Sequence, residues 1–261
     1  MTLQEKSKFV ILAILDGWGI APSEAGNAIS QANPVNMNGF WLSYPHTQLK
    51  ASGDAVGLPR GEDGNTETGH LNLGAGRIVF QELERINMSI ADGSFFENKA
   101  LLGTFEHVRK YNSRLHLMGL IGAGGVHSNI EHIFALLHLA RKQGFSDVYL
   151  HLFTDGRDSP PTSAKMYIDM LKQEIKKTGI GKIASIMGRY WSMDRDRRWE
   201  RSLRAYLALT QGKGNLVKTL EEAINSSYLE GKTDEFIEPS LVGDSAGKPL
   251  ATIGDNDAII F

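Results

Sequence analysis

Phe9-Val10-Ile11-Leu12-Ala13-Ile14-Leu15 is unbroken by polar residues. A run of that length reads as a strand covered on both faces of a sheet. Comparable runs recur at Leu115–Ile121, at 148–153 and at 183–187. Between them the apolar residues fall three or four apart. Ile133, Leu136, Leu137 and Ala140 predict a helix over 130–142, and Tyr167, Met170, Leu171 and Ile175 predict another over 163–177. A third is expected over 196–211, stopped by Gly212. Strands alternating with helices predict an α/β fold with a mostly parallel sheet. The last residues, Asp257-Ala258-Ile259-Ile260-Phe261, read as a further strand, and a domain ending inside a strand suggests a fragment.

The three middle strands each run into a polar loop containing glycine. These loops are Gly122-Ala123-Gly124-Gly125-Val126-His127-Ser128, Thr154-Asp155-Gly156-Arg157-Asp158 and Gly188-Arg189-Tyr190-Trp191. In open α/β sheets, ligands bind outside the carboxyl ends of the strands. His127, Arg157, Asp158 and Arg189 are therefore expected on one rim.

Bulk properties narrow the picture. At 261 residues the chain is long enough for two domains, and the change of pattern puts their boundary between Arg77 and Leu102. The division taken is 1–80 and 81–261. A net charge of -2 gives no reason to expect nucleic acid as the main partner, so any basic site must be local. There are no cysteines, hence no disulfides and no thiolate metal site. Residues 9–15 are too few to cross a bilayer, which takes roughly 20. No cleavage pattern follows them, so neither a membrane span nor a signal peptide is expected and the compartment is taken as the cytoplasm.

The most telling stretch is Gly64-Asn65-Thr66-Glu67-Thr68-Gly69-His70-Leu71-Asn72-Leu73-Gly74-Ala75-Gly76-Arg77. It sets the hydroxyl of Thr66 among small residues at a helix start, where free N–H groups favour phosphate. Such a hydroxyl is a nucleophile if activated and a helix cap if not. Asp16, after the first apolar run and before Gly17, suits either a hard metal ion or a tight turn. His127 could donate to a phosphate, act as acid or base, or simply sit on the surface. His70 reads equally as a ligand or a packing residue. Arginines grip phosphate and carboxylate bidentately, and Arg157 and Arg189 lie where a structural arginine is less expected. Arg195 is the member of the following basic run most suited to turn inward. The rest reads as a solvated helix face, with Glu200 and Arg204 spaced as a helical ion pair.

With these residues in view, the chain resembles the bisphosphoglycerate-independent phosphoglycerate mutases of the alkaline phosphatase superfamily. The resemblance runs in order through Leu15-Asp16-Gly17-Trp18-Gly19, Gly26-Asn27-Ala28, the segment from Gly64 to Asn72, Gly74-Ala75-Gly76-Arg77, Leu117-Met118-Gly119-Leu120, Gly124-Gly125-Val126-His127-Ser128, Asp155-Gly156-Arg157-Asp158, Gly188-Arg189-Tyr190 and Met193-Asp194-Arg195-Asp196.

That resemblance implies an isomerase interconverting 3-phosphoglycerate and 2-phosphoglycerate in glycolysis through a phospho-enzyme. It implies part of a phosphatase-like domain in 1–80, binding two divalent metals, usually manganese. An inserted α/β domain that grips phosphoglycerate is implied in 81–261. Asp16 would ligate metal and Thr66 would be both nucleophile and metal ligand. His127, Arg157, Asp158, Arg189 and Arg195 would contact substrate. The protein is expected to act as a monomer, without nucleic-acid or membrane partners.

Two departures qualify the match. The family's usual nucleophile is serine, and this chain has Thr66. The family also continues past the equivalent of Phe261 with a further arginine and most metal-binding Asp and His residues. The chain alone is thus expected to be inactive. The alternatives are another metal-dependent phosphatase or phosphomutase of the superfamily, or a non-catalytic phosphoglycerate-binding remnant.

Overall fold

Residues 9–261 are described by the computed structural model, and two compact units, Met1–Phe80 and Gln81–Phe261, are organised differently. Among the described residues no helix is long and apolar enough to cross a membrane.

The first unit is helical. Helix α1 (Ala28–Gln31) is capped by Asn27, whose side-chain oxygen accepts from the N–H groups of Ile29 and Ser30. Helix α2 (Val35–Ser43) starts after Pro34, and a 3₁₀ turn covers Gly53–Val56. Helix α3 (Thr66–Ala75) is capped by Asn65, which accepts from Thr68 N–H at 2.9 Å, and ends at Gly76. Residues 9–15 correct the sequence reading: they form no strand and are exposed, Val10 at 88%. The physical reason is the lack of a neighbour. A strand buried on both faces needs ladder partners, and the first unit has no strand among its described residues to supply them.

The second unit opens with α4 (Glu82–Asp92), a 3₁₀ turn at Ser94–Glu97 and α5 (Lys99–Tyr111). There follow β1 (Leu115–Ile121), α6 (Ile130–Lys142), β2 (Val148–Thr154), α7 (Ala164–Thr178), β3 (Lys182–Gly188), the single turn α8 (Arg189–Ser192) and α9 (Trp199–Gln211). The remainder comprises β4 (Asn215–Val217), α10 (Leu220–Leu229), a 3₁₀ turn at Asp234–Phe236, β5 (Ser240–Val242) and β6 (Ala258–Ile260). Asn129 caps α6 through Glu131 N–H, and Arg141 and Lys142 in its last turn complement the helix dipole.

The sheet order is β4-β5-β3-β2-β1-β6. All pairings are parallel except β3 with β5. Every residue of β2 is buried, as its apolar run demands of a central strand. One face packs Leu117, Leu150, Leu152 and Ile186 among residues of α5, α6, α7 and α10; the other packs Leu120, Phe153 and Met187 against Ala205, Ala208 and Leu209 of α9. The carboxyl ends of the three middle strands lie level, with Ile121 paired to Thr154 and Thr154 to Gly188.

Candidate functional site

That level edge sets the site. Three adjacent parallel strands release their loops at one height, and His127, Arg157, Arg189 and Arg195 line a single cleft there with Tyr190, Asp194 and Glu235. Asp158 belongs to the same cluster. Its Oδ2 lies 2.6 Å from Arg189 Nη1 and 3.7 Å from His127 Nε2. All five sequence-predicted residues of the second unit are thus brought together.

Arg189 is the fixed centre. It begins α8, is 8% exposed, and gives one terminal nitrogen to both Asp155 Oδ1 and Asp158 Oδ2 at 2.6 Å each. Among the described residues no other acceptor binds this guanidinium, so the rest of its planar fork is free for an anion. Asp155 is buried. Burial pushes its carboxyl up, but the hydrogen bond from Arg189 and the N–H groups of Asp158 and Arg157 outweigh that and hold it below the usual carboxylate range. Burial likewise disfavours the Arg189 cation, and its two carboxylates more than compensate. Arg157, half exposed, has Glu235 Oε1 at 3.6 Å from its Nη1. Arg195 is exposed at the cleft wall.

Asp155, which holds Arg189 from beneath, and Asp194 and Glu235, which line the cleft, were not singled out from the sequence. Asp155 could have been found as the carboxylate at a strand end before Gly156. Asp194 sits in the quoted Met193–Asp196 motif; its side chain is buried and accepts from Arg198 N–H at 2.8 Å. Glu235 had no signal, because it comes from a turn far along the chain. The basic run is mostly exposed, as expected of a solvated face, but its pairing differs. Arg204 pairs with Glu238 at 3.1 Å rather than with Glu200, and Arg201 lies 3.8 Å over the Tyr190 ring instead of on a solvated face. Arg201 is drawn partly inward by a partner that local spacing could not reveal, whereas Arg204 stays exposed.

In the first unit Thr66 is the first residue of α3 and is exposed; Asn65, not Thr66, is the cap. The Thr66 hydroxyl donates to Asp16 Oδ2 at 2.8 Å, across 50 residues of sequence. His70 Nδ1 lies 2.8 Å from the Thr66 carbonyl, one helical turn back. Among the described residues no group of three or more His, Asp or Glu side chains could hold a metal. Divalent ions of the manganese type take about six oxygen or nitrogen donors. Asp16 and Thr66 offer three side-chain oxygens and do not by themselves make such a site.

The second unit is thus a mostly parallel α/β domain whose strand ends carry arginines, a histidine and counter-carboxylates around one cleft. Residues 86–261 match the family model described as BPG-independent PGAM N-terminus, and the chain belongs to that family. It is 53% identical over 252 residues to a 2,3-bisphosphoglycerate-independent phosphoglycerate mutase of Moorella thermoacetica, covering 97% of this chain and 49% of the relative. To the enzyme of that name from Acetivibrio thermocellus it is 51% identical over 256 residues, 98% of this chain and 50% of the relative. A crystal structure of Leishmania mexicana phosphoglycerate mutase at low cobalt concentration superposes with a TM-score of 0.75 at 33% identity, covering 94% of this chain and 47% of that one. The chain therefore spans about half the length of the relatives it matches.

Proposed function

We propose that this chain carries the phosphoglycerate-binding cleft and the phosphoryl-accepting hydroxyl of a phosphoglycerate mutase that interconverts 3-phosphoglycerate and 2-phosphoglycerate in glycolysis. One observation carries the reading: His127, Arg157, Asp158, Arg189 and Arg195, from three separate loops, meet around one cleft. Guanidinium groups suit the carboxylate and phosphate of the substrate. Asp158 and His127 suit its hydroxyl, as acceptor and donor.

In this reading Thr66 Oγ1 attacks phosphorus. The new Oγ1–P bond forms as the bond to the glycerate oxygen breaks; the Thr66 hydroxyl gives up its proton, toward the Asp16 carboxylate that it faces, and the departing oxygen takes one up. The glycerate stays bound, and its other hydroxyl then takes the phosphoryl group back. The Thr66–Asp16 hydrogen bond supports a nucleophilic role, since it orients the hydroxyl beside a carboxylate. Divalent metals would supply the activation that makes this hydroxyl a nucleophile, and Asp16 and Thr66 would be among the residues that hold them. With so few donors among the described residues, the chain binds substrate and does not turn it over alone. A glycolytic step places it in the cytoplasm, and a small-molecule cleft built from one chain suits a monomer.

Calorimetric titration of the 261-residue chain with 3-phosphoglycerate tests this. Binding is expected, stronger than for inorganic phosphate, and weakened at least about tenfold in Arg157→Ala and in Arg195→Ala, each removing a charge-assisted contact. Equal affinity of both variants and the parent would sink the reading. Normal turnover with added manganese would overturn the statement that the chain alone is inactive.

A further inference from the structure

Gly156 and Gly188 border the two arginine loops, and the same backbone blocks both. A Cβ on Gly188 would lie 2.0 Å from the Glu235 carbonyl oxygen, and one on Gly156 would lie 2.7 Å from the Glu235 nitrogen. The Asp234–Phe236 turn is thus seated on the ends of β2 and β3, where any side chain would push it off.

The turn is bolted down on every side. Asp234 is 1% exposed, and its Oδ2 accepts from Ser163 N–H at 2.7 Å and Ala164 N–H at 2.8 Å, at the start of α7. Its Oδ1 accepts from the Tyr228 hydroxyl. Thr154 at the end of β2 donates to the Asp234 carbonyl at 2.7 Å, and Gly188 N–H donates to the Ile237 carbonyl at 2.7 Å. Phe236 packs on Tyr190, with ring centroids 5.2 Å apart. A short turn tied to β2, β3, α7, α8 and α10 is a rigid shelf.

Glu235 stands on that shelf and lines the arginine cleft. Its side chain is 20% exposed against 51% for Arg157, its ion-pair partner at 3.6 Å. Among the described residues Glu235 is the one side-chain partner of the Arg157 guanidinium. A long, half-exposed arginine has many rotamers, and holding one of them before binding removes that ordering cost from the ligand's affinity. We infer that Glu235 is a positioning residue that holds the Arg157 guanidinium in the orientation that receives the anionic ligand. This rests on the cleft being the phosphoglycerate site proposed above. In this role Glu235 acts on the ligand through Arg157, as the counter-ion of its guanidinium.

The test is a double-mutant cycle read by calorimetric titration of 3-phosphoglycerate into the 261-residue chain. Glu235→Ala is expected to weaken binding about tenfold in the parent and less than about twofold in an Arg157→Ala background, because it acts through Arg157. Glu235→Gln has nearly the same shape and keeps an oxygen acceptor; it is expected to lose about threefold in the parent and nothing in Arg157→Ala. It carries the same test if the alanine variant does not fold. Equal weakening in both backgrounds, as general structural damage gives, overturns the inference. So does tighter binding, which would make Glu235 a repelling charge. No binding by the parent chain overturns the cleft reading itself, and this inference with it.

Discussion

His116 Nδ1 and His151 Nε2 lie 2.8 Å apart in the middle of the sheet, both wholly buried. Their tautomers follow from the ends of the chain they form. Asp257 Oδ2, 3.1 Å from His116 Nε2, can only accept, since burial pushing its carboxyl up is outweighed by the N–H groups of Arg114 and Gly254 and by His116. His116 therefore carries its proton on Nε2 and accepts on Nδ1 from His151 Nε2–H, and His151 Nδ1 accepts from the Ser185 hydroxyl at 2.8 Å. Four polar groups from β1, β2, β3 and the turn before β6 satisfy one another inside hydrocarbon. Burial holds His116 below the usual histidine range and, with the neighbouring His116, pushes His151 down to about 3.

Acid should therefore unfold this protein early. The unfolded chain takes up protons near pH ~6.5 that the folded histidines refuse, so stability is full above that value. It declines as pH falls toward about 3, where His151 protonates within the fold. Melting temperatures between pH 7.5 and 4.5 check this. His151→Gln, whose amide can donate to His116 and accept from Ser185, should give a visibly shallower acid decline. Parallel declines in parent and variant would refute the role of the pair.

Asp155→Asn tests the centre of the cleft. The change keeps the shape and removes the charge that shares buried Arg189 with Asp158. Leaving a buried cation under-compensated should destabilise the chain by about 2–3 kcal/mol in urea unfolding. An unaffected midpoint would mean that Asp158 alone suffices.

Backbone contact at the strand ends gives a paired comparison. Gly188→Ala drives a methyl group into the Glu235 carbonyl, whereas Gly119→Ala in β1 meets nothing within 4 Å. The first should cost at least about 2 kcal/mol and the second less than about 1 kcal/mol. Similar costs for the two would show that the shelf yields easily.

Leu12 is 75% exposed in a segment without ladder partners. Leu12→Lys should change the unfolding free energy, read by urea titration, by no more than about 0.5 kcal/mol, as exposed substitutions do. A loss of several kcal/mol would restore the buried strand that the apolar run at 9–15 suggests.

Legibility in the sequence follows how locally each feature is encoded. Leu115–Ile121 and Ile130–Lys142 were read with their observed bounds, because a continuous apolar run and a 3.6-residue stripe are local patterns. The cleft was largely legible for the same reason: its residues follow strand ends, and the parallel sheet brings strand ends together. What escaped is set by distant chain. Helix α9 begins at Trp199 rather than Asp196. The three-residue strands β4 and β5 are too short to show a period, and β5 inserts antiparallel beside β3. His116 and His151 look like polar breaks in apolar runs until the register sets them side by side. Glu235 acquires a role only through contacts with loops 47 and 78 residues earlier, at Gly188 and Arg157.

Strand β6 pairs Ala258, Ile259 and Ile260 with Leu115, His116 and Leu117. Its anchor, the Arg114 N–H bond to Asp257, joins residues 143 apart in sequence. The neighbouring β1–β2 and β2–β3 ladders close over one intervening helix each. Loop-closure entropy therefore lets the inner ladders assemble first and leaves the seam on the far side of β1 to zip up late. In native-state hydrogen exchange, amides of that seam should open before those of β2, so the sheet comes undone from the edge that arrived last.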